Sequence, residues 1–425
     1  MRRPLYGWLT AEALSLTGTR VSMIAIPLFV LEQTGSATQT GLVALAEMLP
    51  LVVFKVLGGP VIDRVGARRV AITCDLLSLV VVAAIPLLFD LGLLSFPGFL
   101  ALVAGAGALR GPGDGAKAAM VPALVASAGI PMERATGLSA TVERTASMLG
   151  AGLAGVLVAT LGAQDALLVD SLSFGLSAVV LARATAGIEP RTEADLAAGP
   201  AGPADPVDPP TYLVQLREGW DFLRRDPLLL GISVMVAVTN LLDAAWSSVL
   251  MPVWSIESGE GAAALGLLFA VMSGSSALGA ACAATFAARL PRFRTYLFAF
   301  LLCGLPRFAV FVVDTPMAGV VAVFVVAGFA SGFINPVLGA VVFERIPAHL
   351  VGRVSSLTSA MCWALMPLGG LVGGVLFDAG GLAVAMGACG AAYLAATMLP
   401  AVDPRWREMD RRPERDTTSA DAAAH

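Results

Sequence analysis

The chain has 425 residues, 57% of them hydrophobic and only 14% charged, with a formal net charge of −4 and a mean hydropathy of +0.81. Soluble proteins carry about 25% charged residues, so this chain has too little polar surface to coat a water-soluble globule, and lipid is the solvent for most of it. Two histidines, His349 and His425, exclude a histidine-rich metal site, and five cysteines scattered in apolar runs imply neither metal ligation nor a disulfide framework.

Inside a bilayer each backbone polar group must be satisfied within the chain, so one crossing takes about 20 apolar residues as a helix. In chain order the expected crossings are residues 5–30, 40–61, 70–89, 96–124, 135–161 and 166–181, then 228–254, 262–288, 296–313, 317–343, 354–377 and 379–402. The expected fold is therefore all-α and integral to the membrane, with twelve transmembrane helices. Arg2 and Arg3 resemble the start of a signal peptide, but the apolar segment after them runs on into further crossings, so no cleavage is expected.

The connecting segments set the orientation. Residues 32–39, 90–95, 161–166, 255–262, 313–316 and 378–381 contain no Lys or Arg. Arg2, Arg3, Arg64, Arg68, Arg69, Arg289, Arg292, Arg294, Arg345, Arg353 and the tail from Arg405 to Arg415 fall in the alternate segments. This positive-inside asymmetry predicts both termini in the cytoplasm of a multi-pass protein of the inner (plasma) membrane.

Residues 184–210 are rich in Pro, Ala, Gly and acidic residues and read as a disordered linker. Residues 212–225 follow as an amphipathic helix lying along the membrane surface. The expected domains are a six-helix bundle over 1–183, a cytoplasmic linker with its amphipathic helix over 184–226, a second six-helix bundle over 227–402, and a disordered cytoplasmic tail over 403–425. The two bundles echo each other at a shift of 225 residues. Ile26-Pro27-Leu28 meets Met251-Pro252-Val253, Gly41-Leu42-Val43 meets Gly266-Leu267-Leu268, and Arg64 and Arg69 fall on Arg289 and Arg294; with a few residues of drift, Gly155-Val156-Leu157 meets Gly374-Val375-Leu376. Such a parallel repeat suits a carrier whose halves rock about a midplane site.

After the second crossing the chain reads Gly59-Pro60-Val61-Ile62-Asp63-Arg64-Val65-Gly66-Ala67-Arg68-Arg69. Here Gly59 permits close helix approach, Gly66 a tight turn, and Asp63 can face a neighbouring helix end. The arginines suit phosphates or carboxylates. This pattern, G-x-x-x-D-R-x-G-x-R-R, resembles the cytoplasmic loop signature of the major facilitator superfamily. The second-half copy has Ala288 in place of Asp63 and Pro291 in place of Gly66. Residues 15–43, Leu216–Leu228 and Val351–Leu357 further resemble the branch of drug–proton antiporters that includes macrolide and siderophore (enterobactin-like) exporters. Gly150-Ala151-Gly152-Leu153-Ala154-Gly155 resembles that branch's antiporter motif, G-P-x-x-G-G, with Ala151 where the proline stands. The same Gly150, Gly152 and Gly155 fit a dinucleotide fingerprint, but in an apolar helix they read as a packing motif. Gly111–Lys117 fails the phosphate-loop pattern at Ala116 and Ala118.

Ionisable groups are costly inside a bilayer, and those retained face a cavity or a partner. The first half holds Glu12, Arg20, Glu47, Lys55, Asp75, Arg110, Asp114, Lys117, Glu143, Arg144 and Asp170; the second holds mainly Asp243 and Arg307. Arg110 resembles the fourth-helix arginine that the family associates with proton coupling, and Asp114 follows on the same helical face. Arg20 can pair with Glu47 or Glu143. Proton-coupling candidates are thus Arg110, Asp114, Glu47, Glu143, Arg20 and Asp243, with helix locking as the other reading of each. Asp75, Lys55 and Lys117 read as snorkelling or structurally paired. Asn240 and Asp243 in the seventh crossing and Asn335 in the tenth fall on helices that line the family's cavity; with Trp246, Met272, Phe329 and Phe333 they are candidates for an apolar substrate cavity with a few polar groups, plain helix packing being the other reading of each aromatic or Met.

The resemblance implies a secondary transporter that exports a drug-like or secondary-metabolite molecule by proton antiport with alternating access. Other readings are a proton-coupled uptake symporter on the same fold and a non-transporting membrane scaffold or sensor. No enzymatic constellation is found. The expected partners are a small-molecule substrate, protons and membrane lipid, with no nucleic acid; the chain is expected to act as a monomer. The proton gradient is the energy source and no cofactor is implied.

Overall fold

The computed structural model describes residues 3–130, 132–187, 212–286, 289–313, 315–347 and 350–411. Apolar runs become helices wherever a cap or a glycine can end them. The first half consists of α1 (Arg3–Thr34), α2 (Ala37–Leu57), α3 (Ala67–Asp90), α4 (Phe96–Ala119), α5 (Met132–Leu161) and α6 (Ala163–Ala184). Ser36 starts α2 by accepting a bond from the Gln39 amide, and Ser95 starts α4 by accepting one from Gly98. A short helix, Gly59–Val65, joins α2 to α3 and ends at Gly66, whose φ of 94° suits glycine alone.

The second half begins with α7 (Pro227–Ala245), capped by Asp226, which accepts from the Leu228 and Leu229 amides at 3.1 Å each. A π-helical turn, Trp246–Leu250, carries α7 on into Met251–Glu257. Next come α8 (Gly261–Phe286), α9 (Arg292–Cys303, resuming as Leu305–Ala309 after a break at Gly304) and α10 (Met317–Arg345). α11 opens as Val351–Ala364 and continues into the helix Met366–Met398; that helix turns at Gly381, φ 76°, and the part beyond the turn is α12.

Among the described residues, nine helices are long and apolar enough to cross a membrane. The stretch Leu357–Val402, at 46 residues, is far longer than one crossing and holds α11 and α12. That makes ten; α4, diluted by Arg110 and several glycines, and α9, broken at Gly304, complete the twelve expected helices. Exposed Leu172, Leu278, Phe298 and Leu399, each more than 60% accessible, place apolar side chains outward, as a lipid-facing surface requires.

The pairing of helices repeats between the halves. α2 packs on α4, α3 on α4 and α6, and α1 on α5 and α6; in the second half α8 packs on α10, α9 on α10 and α12, and α7 on α11. Between the halves, α2 lies against α11 and α5 against α8. Glycines make these two seams close. A Cβ on Gly41 would stand 2.2 Å from the Gly370 carbonyl oxygen, and one on Gly374 2.4 Å from that of Ala37. At the other seam, a Cβ on Gly155 would stand 2.8 Å from the Gly266 Cα. Thr38 also donates a hydrogen bond to Asp378 across the first seam. All these contacts lie at the ends that the arginine pattern assigns to the outside.

One expectation about the connecting segments changes. The tail expected to be disordered from residue 403 begins with a 3-10 helix, Pro404–Asp410, that buries Trp406 and Met409. Three residues apart, these two share one side of a 3-10 turn, and Trp406 packs on Tyr296 at 5.4 Å between ring centroids. Its polar residues also bind: Asp410 accepts from the Phe293 amide at 3.0 Å, and Glu408 meets Arg345 at 3.3 Å. The helix expected after the linker is present as Tyr212–Leu223, whereas linker residues 188–211 and tail residues 412–425 lie outside the described residues.

Candidate functional site

Between the halves lies a cavity of about 550 Å³, within the range of small-molecule sites. The seams close it at the Gly41 and Gly266 ends of α2 and α8, and it opens in the opposite direction past Ala140, Glu143 and Arg144, which are exposed. The two walls differ in chemistry. α1, α2 and α5 supply Arg20, Met23, Glu47, Met48, Glu143, Arg144 and Ser147. α7, α8 and α10 supply Trp246, Phe269, Met272, Ser273, Ser276 and Asn335. Pro27, paired by the repeat with Pro252, also lines it.

On the first wall, Glu47 sits beside Arg110 because α2 and α4 meet backbone to backbone. A Cβ on Gly107 would stand 2.1 Å from the Glu47 carbonyl oxygen, and one on Gly111 2.5 Å from that of Leu51. That closeness lets Arg110 Nη1 reach Glu47 Oε1 at 3.1 Å. Arg110 and Asp114, four residues apart on one helix, form no ion pair: Asp114 is exposed, and Arg110 meets the carboxylate of α2 instead. Nor does Arg20 pair with Glu47 or Glu143. Its Nη2 donates to Ser147 Oγ at 2.8 Å and its Nη1 to Met23 Sδ at 3.2 Å, while its buried Nε has no acceptor among the described residues. Gly150 of α5 makes room for this arginine, since a Cβ there would stand 3.0 Å from the Arg20 Cβ; Gly152 faces Ala270 and Gly155 faces Gly266.

Deeper in the first half are two buried carboxyl sites. Lys117 meets Asp75 at 2.9 Å, and Ser177 donates to the same carboxylate at 2.7 Å, all three side chains being buried. Asp170 accepts from Ser22 and Ser173. Lys55 is exposed and lies 4.5 Å from the Trp363 ring.

The second wall departs further from expectation. Asp243 turns away from the cavity and pairs with Arg307 of α9. Arg307 is enclosed by Trp246, Phe308 and Tyr393, with its guanidinium carbon 5.0, 4.9 and 4.8 Å from their ring centres. Asn240 also turns away, donating to the Cys362 carbonyl at 2.9 Å and so tying α7 to α11. Phe329 and Phe333 line a separate groove on the lipid-facing side of α8, α9 and α10. A helix carries side chains all round, and helix membership alone did not tell which face each would take. Trp246, Met272 and Asn335 do reach the cavity; Pro336 lies within α10. In the sequence Arg307 reads only as a buried charge, because of the rings that enclose it only Phe308 is its neighbour in the chain.

In the first turn of α3, Arg68 donates to the Ala182 carbonyl at 2.8 Å and to Thr185 Oγ1 at 2.9 Å, which fastens this end of α3 to the end of α6. Arg64 and Arg69 are exposed, and the Asp63 side chain lies outside the described residues. The close approach expected at Gly59 belongs to Gly58 instead. A Cβ on Gly59 would meet nothing within 4 Å, whereas one on Gly58 would stand 3.2 Å from Pro112 Cβ.

Comparison with known proteins agrees with this geometry. The sequence model of the Major Facilitator Superfamily matches residues 8–370. The multidrug efflux pump Tap of Mycolicibacterium fortuitum is 30% identical over 413 residues, covering 96% of this chain and 98% of its own. That of Mycobacterium tuberculosis H37Rv is 29% identical over 423 residues, covering 98% and 97%. Among solved structures, the nucleoside transporter NupG superposes with a TM-score of 0.70 at 12% identity, covering 96% of this chain and 100% of its own. A bacterial homologue of the iron transporter ferroportin, in an inward-facing state, gives 0.69 at 14% identity and covers 96% and 99%.

Proposed function

The chain belongs to the major facilitator superfamily, and on that premise we propose that it exports drug-like, amphipathic organic molecules from the cell in exchange for protons. It is a multi-pass protein of the cell membrane, and the arginine distribution supports cytoplasmic termini. The observation that carries the reading is the cavity between the halves, with ionisable groups on one wall and aromatic, Met and Ser side chains on the other. An apolar wall with a few polar groups accepts many amphipathic shapes. The similarity to efflux pumps named for multiple drugs along nearly the whole chain supports the direction and the breadth.

The seams are closed at the outer ends, so the cavity is read as facing the cytoplasm and able to load substrate there. Proton coupling is assigned to the pair of Glu47 and Arg110. Protonation of Glu47 removes the charge that holds Arg110 and loosens α2 from α4. Because α2 is also one side of the seam with α11, the protonation state of Glu47 biases whether that seam opens. Arg20, Glu143 and Arg144 are read as the polar side of the substrate site. The proton gradient is the energy source, with no cofactor, and one chain suffices.

Everted membrane vesicles test this with a panel of fluorescent amphipathic cations and neutral dyes. An acid lumen should drive dye accumulation that a protonophore collapses. Dye leaving the lumen along with protons would instead mark an uptake symporter, and gradient-independent behaviour of every dye would remove the transport reading.

A further inference from the structure

A second recess of about 600 Å³ lies on the bilayer side of the second half, walled by α8, α9 and α10. On α9 it is lined by Arg294, Phe298 and Leu302, and on α10 by Phe333, Phe329 and Val325. Each set repeats every four residues over eight, so each wall is one helical face about 12 Å long. The helices run in opposite directions, which places Arg294 beside the Phe333 end and Leu302 beside the Val325 end. The recess is thus a trough with a guanidinium at one end only.

Its polar groups can be accounted for one by one. Ser275 donates to the Val271 carbonyl at 2.7 Å, and Thr295 to the Pro291 carbonyl at 2.9 Å. Both hydroxyls are therefore spent on their own helices. Arg294 is exposed and has no carboxylate partner among the described residues; its neighbour Arg292, by contrast, is held by Glu344 at 2.6 Å. An occupant that fits this lining has a long apolar body and one anionic head. The Arg294 end is also the arginine-rich end of the bundle, where the headgroups of the cytoplasmic leaflet lie in the expected orientation.

The geometry points to a binding site for an acidic phospholipid, with an acyl chain along the trough between α9 and α10 and its phosphate at Arg294. This site stands apart from the central cavity and does not depend on the transport reading. Its back wall is nevertheless the α8–α10 contact, where a Cβ on Gly279 would stand 2.0 Å from the Phe329 carbonyl oxygen and one on Gly328 2.5 Å from that of Met272. Met272 lines the central cavity. A seated lipid therefore braces the helix pair that forms part of the substrate wall.

The test uses the full chain in nanodiscs of phosphatidylcholine doped with a phosphatidylglycerol bearing a photoreactive acyl chain. Crosslinks should map to residues 294–302 and 325–333. One arginine near anionic headgroups contributes enough for about a fivefold preference, so Arg294→Gln should lower that labelling about fivefold, and a photoreactive phosphatidylcholine should label wild type about fivefold less. Ala330→Trp, which fills the trough, should abolish labelling by both lipids. Equal labelling by the two lipids, or labelling unchanged by Arg294→Gln, would overturn the site. So would an Arg294-dependent signal from a photoreactive fatty acid with none from phosphatidylglycerol.

Discussion

In the first half, ionisable side chains are shared between helices in several places: Glu47 of α2 with Arg110 of α4, Asp75 of α3 with Lys117 of α4, and Arg20 of α1 with Ser147 of α5. Among the described residues of the second half, the membrane region concentrates its charge in one pair, Asp243 and Arg307, with aromatic rings around the arginine. Yet the two seams between the halves are built alike, from glycines that the internal repeat superposes. The halves have the same backbone packing and differ in what they carry, one holding ionisable groups beside the central cavity and the other a platform for Trp246. Seams built from glycine and backbone contacts leave the side chains elsewhere free to differ between the halves.

The largest effects should come from orphaning a buried charge, which costs about 3–5 kcal/mol. Lys117→Leu strands Asp75, whose side chain is only 5% exposed, and should fall near the top of that range. Arg307→Leu strands Asp243, which is 40% exposed and keeps some solvation, so about 3 kcal/mol is expected. Thermal unfolding in detergent measures both, and equal losses would break the contrast between the halves.

The seams offer the next test. Gly41→Val and Gly266→Val each press a side chain into the partner backbone, and overpacking costs about 1–3 kcal/mol. Both should shift the protein toward opening at the outer ends by similar amounts, read as longer spin-label distances between α2 and α11 and between α5 and α8. Unequal shifts would mean that the repeat no longer acts symmetrically.

A smaller and purely functional effect is expected at the charged wall. Glu47→Gln should slow proton-driven flux about tenfold, about 1.4 kcal/mol in barrier, and flatten its dependence on lumen pH, while Asp243→Asn leaves that dependence in place. A pH response lost in Asp243→Asn and kept in Glu47→Gln would transfer coupling to the second half. At the lower end, Gly59→Ala should change stability by no more than about 0.5 kcal/mol, whereas Gly58→Ala, pressed against Pro112, should be measurably worse.

The spans, the two-half repeat and the loop before α3 were legible because each is written in residue type along the chain: apolar runs of helical length, glycines at a fixed shift, arginines in alternate loops. Side-chain direction was not. Asn240, Asp243, Phe329 and Phe333 lie on the expected helices but on faces turned away from the central cavity, because in a bundle surrounded by lipid an apolar face marks neither inside nor outside. The choice of Glu47 over Asp114 by Arg110 was equally hidden. It depends on how near α2 comes to α4, which Gly107 and Gly111 set across more than fifty residues of sequence. Trp406 and Met409 were lost in a tail whose average composition is polar.

That tail has a practical corollary. Since Trp406 lies against Tyr296 and Gly231 and Asp410 holds the start of α9, a purification handle or fluorescent reporter spliced on at residue 403 would evict an indole from its berth. Joined after Arg411, the same cargo leaves that berth filled, and the difference in yield and melting temperature between the two fusions reports directly on how firmly the tail is held.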